Sequence, residues 1–316
     1  PTSPLAKSAM FQKALSLYNS SRYDEAIPIF KGITKQKSGV DTELLKTAHY
    51  QLGWCYYRMQ RDKEALREFE IILKKYPDDV LAAGVNLWFG EYFYNKGKLK
   101  EAKRYFRMVL SDYPRSNFTD DAFYWIGWTS YEEGKHDQAI DEFRALYKNY
   151  PDSEWSKEAL MRTGDILLKQ GRDADALAEF KAVVEQYGDT SFARTANRKI
   201  GGILKERGSF FEAISYFKKA QTASDTDFNA QVQYDIAESY EFIKDSELAV
   251  VEYLKLSYMY PQNTFWSARA ELKCGKLLES LGKGDQAVSV YGRLAKRGIK
   301  ESDFARKRLE WLNANE

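Results

Sequence analysis

Residues that carry chemistry are scarce in this sequence. Two of 316 residues are histidine and two are cysteine. His49 stands four residues before Gly53, a spacing that reads as helix packing rather than catalysis. His136 follows Gly134 in a turn, where water reaches it. Two isolated histidines without clustered cysteines give no zinc spacing. Cys55 and Cys274 fall near opposite ends of the chain and are not expected to bridge, so the redox compartment stays open. No nucleophile elbow or phosphate-binding loop is present. Gly282-Lys283-Gly284-Asp285-Gln286-Ala287 superficially matches a dinucleotide fingerprint. That fingerprint works only after a strand, and here it joins two helical stretches. The sequence therefore predicts no enzyme, no cofactor and no metal.

Charge of one sign is also lacking. Lys and Arg total 48 against 46 Asp and Glu, a formal net charge of +2. No global field favours nucleic acid. No apolar run is long enough to span a bilayer, so direct membrane insertion is not expected. Arg293, Lys296, Arg297, Lys300, Arg306, Lys307 and Arg308 make the C-terminal end basic. A solvated end reads better there than a contact with anionic lipid or nucleic acid. Proline is scarce at 7 residues and glycine modest at 19. The chain opens on Pro1, which leaves open a leader, a lipid anchor or a further domain ahead of it.

What is abundant is aromatic, at 15% of the chain, and it is periodic. An Ala is followed four residues later by a ring at Ala26/Phe30, Ala65/Phe69, Ala102/Phe106, Ala139/Phe143, Ala176/Phe180, Ala213/Phe217, Ala249/Tyr253 and Ala287/Tyr291. The spacings between successive Ala residues are 39, 37, 37, 37, 37, 36 and 38. Such a pair lies on one helix face. Twelve residues before each Ala stands Ala14, Gly53, Gly90, Gly127, Gly164, Gly201, Ala237 or Gly275. Glycine inside a helix costs about 0.5–1 kcal/mol. A repeated cost implies a repeated reason, and close helix approach is the simplest. Gly97, Gly134, Gly171, Gly208 and Gly282 mark turns. Tyr-Pro pairs at 76–77, 113–114, 150–151 and 260–261 stop helices, with Asp78, Ser116, Asp152 and Asn263 as expected caps. Each unit reads as helix A, tight turn, helix B and loop; in the second these span about 41–59 and 61–76. Pro28, inside the first helix B, is expected to kink or shorten it.

Leu52, Gly53, Tyr56, Ala65, Phe69 and Pro77 carry a resemblance to the tetratricopeptide repeat family, as do Phe89, Gly90, Phe93, Gly97, Ala102, Phe106 and Pro114. The usual repeat of that family is about 34 residues. The longer repeat here, with its Tyr-Pro-Asp-Ser linker, resembles bacterial envelope members: outer-membrane assembly lipoproteins and Tol-Pal coordinators. The resemblance implies an all-α, right-handed superhelical solenoid of eight helix pairs. The expected repeats are 6–38, 41–77, 79–114, 117–151, 154–188, 190–224, 226–261 and 264–298, forming one domain over 1–316. A capping helix is expected over 301–313, with Phe304, Leu309 and Leu312 packed inward and Arg306, Lys307 and Arg308 in water. The resemblance also implies a non-catalytic scaffold for a protein or peptide partner, in the periplasm or alternatively the cytoplasm. Two other readings are a self-associating structural subunit and a regulatory region of a larger protein.

In this family helix A lines the concave groove. Its packing stripe in the second unit is His49, Leu52, Gly53 and Tyr56, which leaves Tyr50, Trp54 and Tyr57 for the groove. The corresponding residues are Phe11, Leu15 and Tyr18 in the first unit, Leu87, Glu91 and Tyr94 in the third, and Tyr124, Trp128 and Tyr131 in the fourth. Trp88 and Trp125 lie beside these stripes. An exposed aromatic groove suits an extended partner. The later units are expected to carry a basic band of Arg162, Lys169, Arg198, Lys199 and Lys205 against Asp165, followed by Asp235, Glu238 and Glu241. A partner with an apolar stretch and then an acidic one would match that order. The Lys-Asn-Arg clamp by which some family members hold a terminal carboxylate is absent from these positions.

Overall fold

In a computed structural model, residues 4–36, 41–222 and 226–314 are described. Every regular element among them is a helix, and there are 17. The chain divides into two compact units, residues 1–155 and 156–316. The expected repeat ends at 38 and 224 lie outside the described residues.

The first unit alternates helix A elements α1 (Pro4–Asn19), α3 (Thr42–Arg58), α5 (Val80–Asn95) and α7 (Thr119–Glu132) with helix B elements α2 (Tyr23–Thr34), α4 (Asp62–Lys75), α6 (Leu99–Asp112) and α8 (His136–Asn149). Each A packs on its own B and on the B before it, and α1 meets α3 as α5 meets α7. In the second unit, α9 (Glu154–Lys169), α11 (Ser191–Glu206), α13 (Thr226–Ile243) and α15 (Thr264–Ser280) alternate with α10 (Asp173–Tyr187), α12 (Phe210–Ala220), α14 (Ser246–Met259) and α16 (Gly284–Ala295). From α10 onward, consecutive helices of that unit pack on one another. A last helix, α17 (Lys300–Ala314), packs on α15 and α16. Leu309 and Leu312 turn inward on it, while Phe304 stays exposed. Arg308 is not left in water as expected, because its Nε donates to Glu279 Oε2 at 2.8 Å.

The recurrent glycine has a local cause. A Cβ on Gly53, Gly127, Gly164 or Gly201 would stand 2.5–2.7 Å from the ring of Phe69, Phe143, Phe180 or Phe217 respectively. Gly90 meets Phe106 and Gly275 meets Tyr291 in the same way. Helix A thus gives up a side chain so that the ring of its own helix B can lie against its backbone. Those rings are fully buried. Tyr in place of Phe brings a hydroxyl that needs a partner when buried. Tyr253 donates to Glu241 at 2.8 Å and Tyr291 to Glu279 at 2.6 Å.

The A–B turn needs one residue in the left-handed region, and Gly97, Gly134, Gly171, Gly208 and Gly282 supply it. Ser21, Gln60 and Lys244 hold the same place in the other three turns, with φ of 59°, 59° and 65°. The loop caps also share one register, two residues past each proline. Asp79 accepts from the Leu81 amide, Ser116 from Phe118, Ser153 from Trp155 and Asn263 from Trp266, at 2.9–3.1 Å. This moves the caps expected at Asp78 and Asp152 by one residue. α2 runs through Pro28 to Thr34 and is not broken there. At 12 residues it matches α16 and exceeds α12, so the proline does not account for its length.

Candidate functional site

On the helix A face of the first unit, rings crowd together. The Trp54 ring lies 5.6 Å from Phe69, 5.8 Å from Tyr57 and 6.4 Å from Trp88, edge-on in each case. Tyr50 contacts both Trp54 and Phe69. Trp88 rests 4.5 Å from Phe69 and 5.2 Å from Tyr57. Further along, Tyr94 meets Trp125 edge-on at 5.1 Å, and Phe106 stacks on the other side of that indole at 6.0 Å. Tyr124 stacks on Trp155 at 4.4 Å, and Trp128 meets Tyr131 at 5.5 Å. Edge-on and offset pairs of this kind are worth about 0.5–1.5 kcal/mol beyond the area they bury.

These contacts correct part of the sequence reading. Phe11, Leu87 and Tyr124 are buried, and they belong to the core rather than to an open surface. Tyr18, Tyr50, Trp54, Tyr57, Tyr94, Trp128 and Tyr131 are half-buried, each with part of its surface reaching solvent. Trp88, also buried, serves as the floor on which Trp54 and Tyr57 rest. Packing therefore uses these rings on one side and leaves the other side to solvent.

Among the rings lie two carboxylates: Glu91, already part of the third unit's stripe, and Asp121, which the aromatic pattern concealed. Glu91 occupies on α5 the place that Trp54 holds on α3 and Trp128 on α7, one 37-residue step apart. It is half-buried. Desolvation raises its pKa above the ordinary carboxylate value and the nearby Asp121 charge adds to this, while the Trp125 indole N–H offsets part of it. Asp121 is half-buried on α7, one turn before Tyr124. Its Oδ1 accepts from the Trp155 indole at 2.9 Å. Burial raises its pKa as well, and then the neighbouring Asp120 charge does. Asp120 itself accepts from the Ser153 hydroxyl at 2.6 Å. The position of Asp121, at i−3 from the predicted ring stripe, was the available signal for it.

Three residues of the expected basic band, Arg198, Lys199 and Lys205, are neutralised by neighbouring helices. Lys199 pairs with Asp165 at 2.6 Å, and Arg198 with Asp235 at 3.2 Å. Lys205 bridges Asp235 and Glu238 at 3.2 and 2.7 Å. Arg162 pairs within its own helix with Glu158. Lys169, at the end of α9, is exposed. Cations of α11 thus fasten it to α9 and α13, and Lys273 on α15 reaches Glu241 on α13 at 3.0 Å. Arg198, Lys199 and Lys205 belong to an interhelical ion-pair network, and an acidic partner would have to break it to bind there.

The remaining candidates are structural. His49 Nδ1 lies 2.7 Å from Glu68 Oε2, joining α3 to α4 in a buried position. His136 begins α8 and stacks on Tyr131. Cys55 and Cys274 are free and buried, and burial pushes both thiols up to about 12, so neither is a thiolate at neutral pH. Among the described residues, no helix is long and apolar enough to cross a membrane, and no group of His, Cys, Asp and Glu is arranged to hold a metal.

The tetratricopeptide repeat-like domain family matches residues 43–203, half of the chain, and the chain belongs to that family. No curated protein matches it in sequence. Among solved structures, the apo form of RapI is similar at 10% identity over 98% of each chain, with a TM-score of 0.57. A tetratricopeptide repeat protein of Parabacteroides merdae is similar at 16% identity over 84% of this chain and 98% of its own, with a TM-score of 0.47. PilF of Pseudomonas aeruginosa is similar at 17% identity over 71% of this chain and 95% of its own, also with a TM-score of 0.47. Repeats of this family generally serve as non-catalytic scaffolds that bind proteins or peptides.

Proposed function

We propose that the protein is a scaffold that holds an extended peptide segment of a partner against the ring-lined helix A face of residues 1–155. The observation that carries this reading is the row Tyr18, Tyr50, Trp54, Tyr57, Tyr94, Trp128 and Tyr131. Each ring is anchored by packing on one side and still reaches solvent on the other. Rings held in place in advance lose little entropy on binding, which is why Tyr and Trp dominate interface hot spots. The 37-residue repeat with its Tyr-Pro linker supports a place in a bacterial envelope assembly, and cell fractionation followed by detection of the full-length protein tests that placement.

Trp54 also fills space against Phe69, so its truncation would disturb folding as well as binding. Tyr57 and Tyr94 are the cleaner probes. The double variant Tyr57→Ala/Tyr94→Ala should keep its helical circular dichroism and lose about 2 kcal/mol or more of affinity for a captured peptide. Unchanged affinity in that folded variant would count against the groove.

A second reading, self-association through an outer face, has its own observation. Helix α14 carries Leu248, Val251, Tyr258 and Met259 exposed, at places where α4 carries Glu64, Arg67, Lys74 and Lys75. Light scattering over a concentration series tests it. Ordered oligomers without ligand, dissolved by Val251→Arg/Tyr258→Glu, would favour this reading over the first.

A further inference from the structure

The peptide reading leaves open which side chains the face selects, and the aromatic pattern alone suggests only apolar ones. We infer that the ring-lined face of residues 1–155 takes a peptide bearing an Arg or Lys side chain between apolar residues, with Glu91 and Asp121 receiving the cation; this rests on the proposed function above.

Charge complementarity inside an aromatic surface favours such a side chain. Glu91 and Asp121 stand on α5 and α7, two helices in direct contact, and each feels the other's charge or that of a close acid. Among the described residues, no Lys, Arg or His forms an ion pair with either. This contrasts with other half-buried acids on helix A elements, Asp120 excepted, which accepts from the Ser153 hydroxyl. Asp165, Asp235, Glu238 and Glu241 all have cationic partners at 2.6–3.2 Å. The polar contacts of Glu91 and Asp121 are instead to indole N–H groups, at Trp125 and Trp155. An indole N–H satisfies one lone pair and leaves the charge in place. Trp125, which contacts Glu91, lies against Tyr94, and Trp155, which contacts Asp121, stacks on Tyr124. A guanidinium or ammonium group has the two affinities this surface offers, for a carboxylate and for a ring face. An acidic segment would meet repulsion here, and a purely apolar one would bury the two charges without compensation. The expectation drawn from the basic band is thereby reversed. Arg198, Lys199 and Lys205 are already paired, whereas Glu91 and Asp121 have no cationic partner among the described residues.

Selection of random dodecapeptides displayed on phage, against the full chain, tests the inference. Enriched peptides should carry Arg or Lys flanked by apolar residues. A synthetic copy should bind Glu91→Gln/Asp121→Asn about ten-fold or more weakly than the wild type, as measured by anisotropy of a labelled peptide. Replacing its Arg with citrulline should cost a similar factor in the wild type and little in the variant. The variant should also melt at a higher temperature than the wild type at pH 7, because it removes two carboxylates whose ionised forms are disfavoured by the fold. A merely structural role would not predict weaker binding by a more stable protein. Enrichment of apolar or acidic peptides that bind the Gln/Asn variant as tightly as the wild type, yet lose affinity in Tyr57→Ala/Tyr94→Ala, would overturn the cation assignment and leave the groove reading standing. Peptides that bind all three proteins equally would overturn both.

Discussion

At the residue scale, glycine should be the more stable choice at two places, for different reasons. Alanine normally stabilises a helix relative to glycine by about 0.5–1 kcal/mol. At Gly127 the added methyl meets the buried Phe143 ring, so Gly127→Ala should instead destabilise by about 1–3 kcal/mol, read from urea unfolding. Lys244 holds a left-handed turn conformation at φ 65°, which costs a residue with a Cβ about 1–2 kcal/mol. Lys244→Gly should therefore raise the melting temperature, and a drop would show that its side chain contributes more than its backbone costs. Both sites follow from a periodicity that was readable in the sequence. The turn glycines pointed to the left-handed place, but Ser21, Gln60 and Lys244 did not, because only the backbone reveals a conformation that their side chains do not advertise. The cysteines follow the same logic of depth. Buried and pushed up to about 12, Cys55 and Cys274 should react with a disulfide reagent only after unfolding.

At the element scale, helices are joined by polar links as well as by rings. Lys103 on α6 is buried and pairs with Glu142 on α8 at 3.0 Å, and Ser130 on α7 bonds to both. Removing one member leaves the other charge without compensation. Glu142→Ala should therefore cost about 3–5 kcal/mol, whereas Lys103→Met with Glu142→Leu should be near neutral, as judged by chemical denaturation of both proteins. Equal losses would show that burial of the charge is not the dominant cost. The alternation of helix A and helix B, the turns and the Tyr-Pro stops were legible, since each rests on local geometry. Depth was not. Helical spacing says which residues share a face, and it gave the stripe of Tyr50, Trp54 and Tyr57. It does not say how far a neighbouring helix rises around that face, which is why Phe11, Leu87 and Tyr124 proved to be core. The ion pairs of Arg198, Lys199 and Lys205 escaped for a related reason. Their partners lie 30–37 residues away, on the next helix A or the one before, so each residue read alone resembles an available charge.

At the scale of the whole molecule, the two compact units differ in what holds their helix A elements together. In residues 1–155 it is largely rings, and in residues 156–316 largely ion pairs. Salt screens partly exposed pairs and leaves ring packing intact. Raising sodium chloride from a low concentration to about 1 M should speed amide exchange in α11, α13 and α15 more than in α3, α5 and α7, as read by mass spectrometry. Equal changes in both sets would show that the ion pairs carry no net stability. Removal of α17 (Lys300–Ala314) would uncover the faces of α15 and α16 on which it packs and should bring concentration-dependent aggregation.

The glycine-and-ring contact has a consequence for how such a chain can change length. Each glycine meets a ring sixteen residues later, inside its own helix pair. Gly84 also faces a ring of the following helix pair, Phe118, at 3.0 Å, but the recurrent contact stays inside its own pair. A duplication or loss of one complete unit therefore leaves every such contact intact, while a frame of any other size separates a ring from its glycine. The molecule has a natural unit of copy number, and a homologue gaining or shedding whole units would keep its interior while lengthening or shortening the face it offers to a partner.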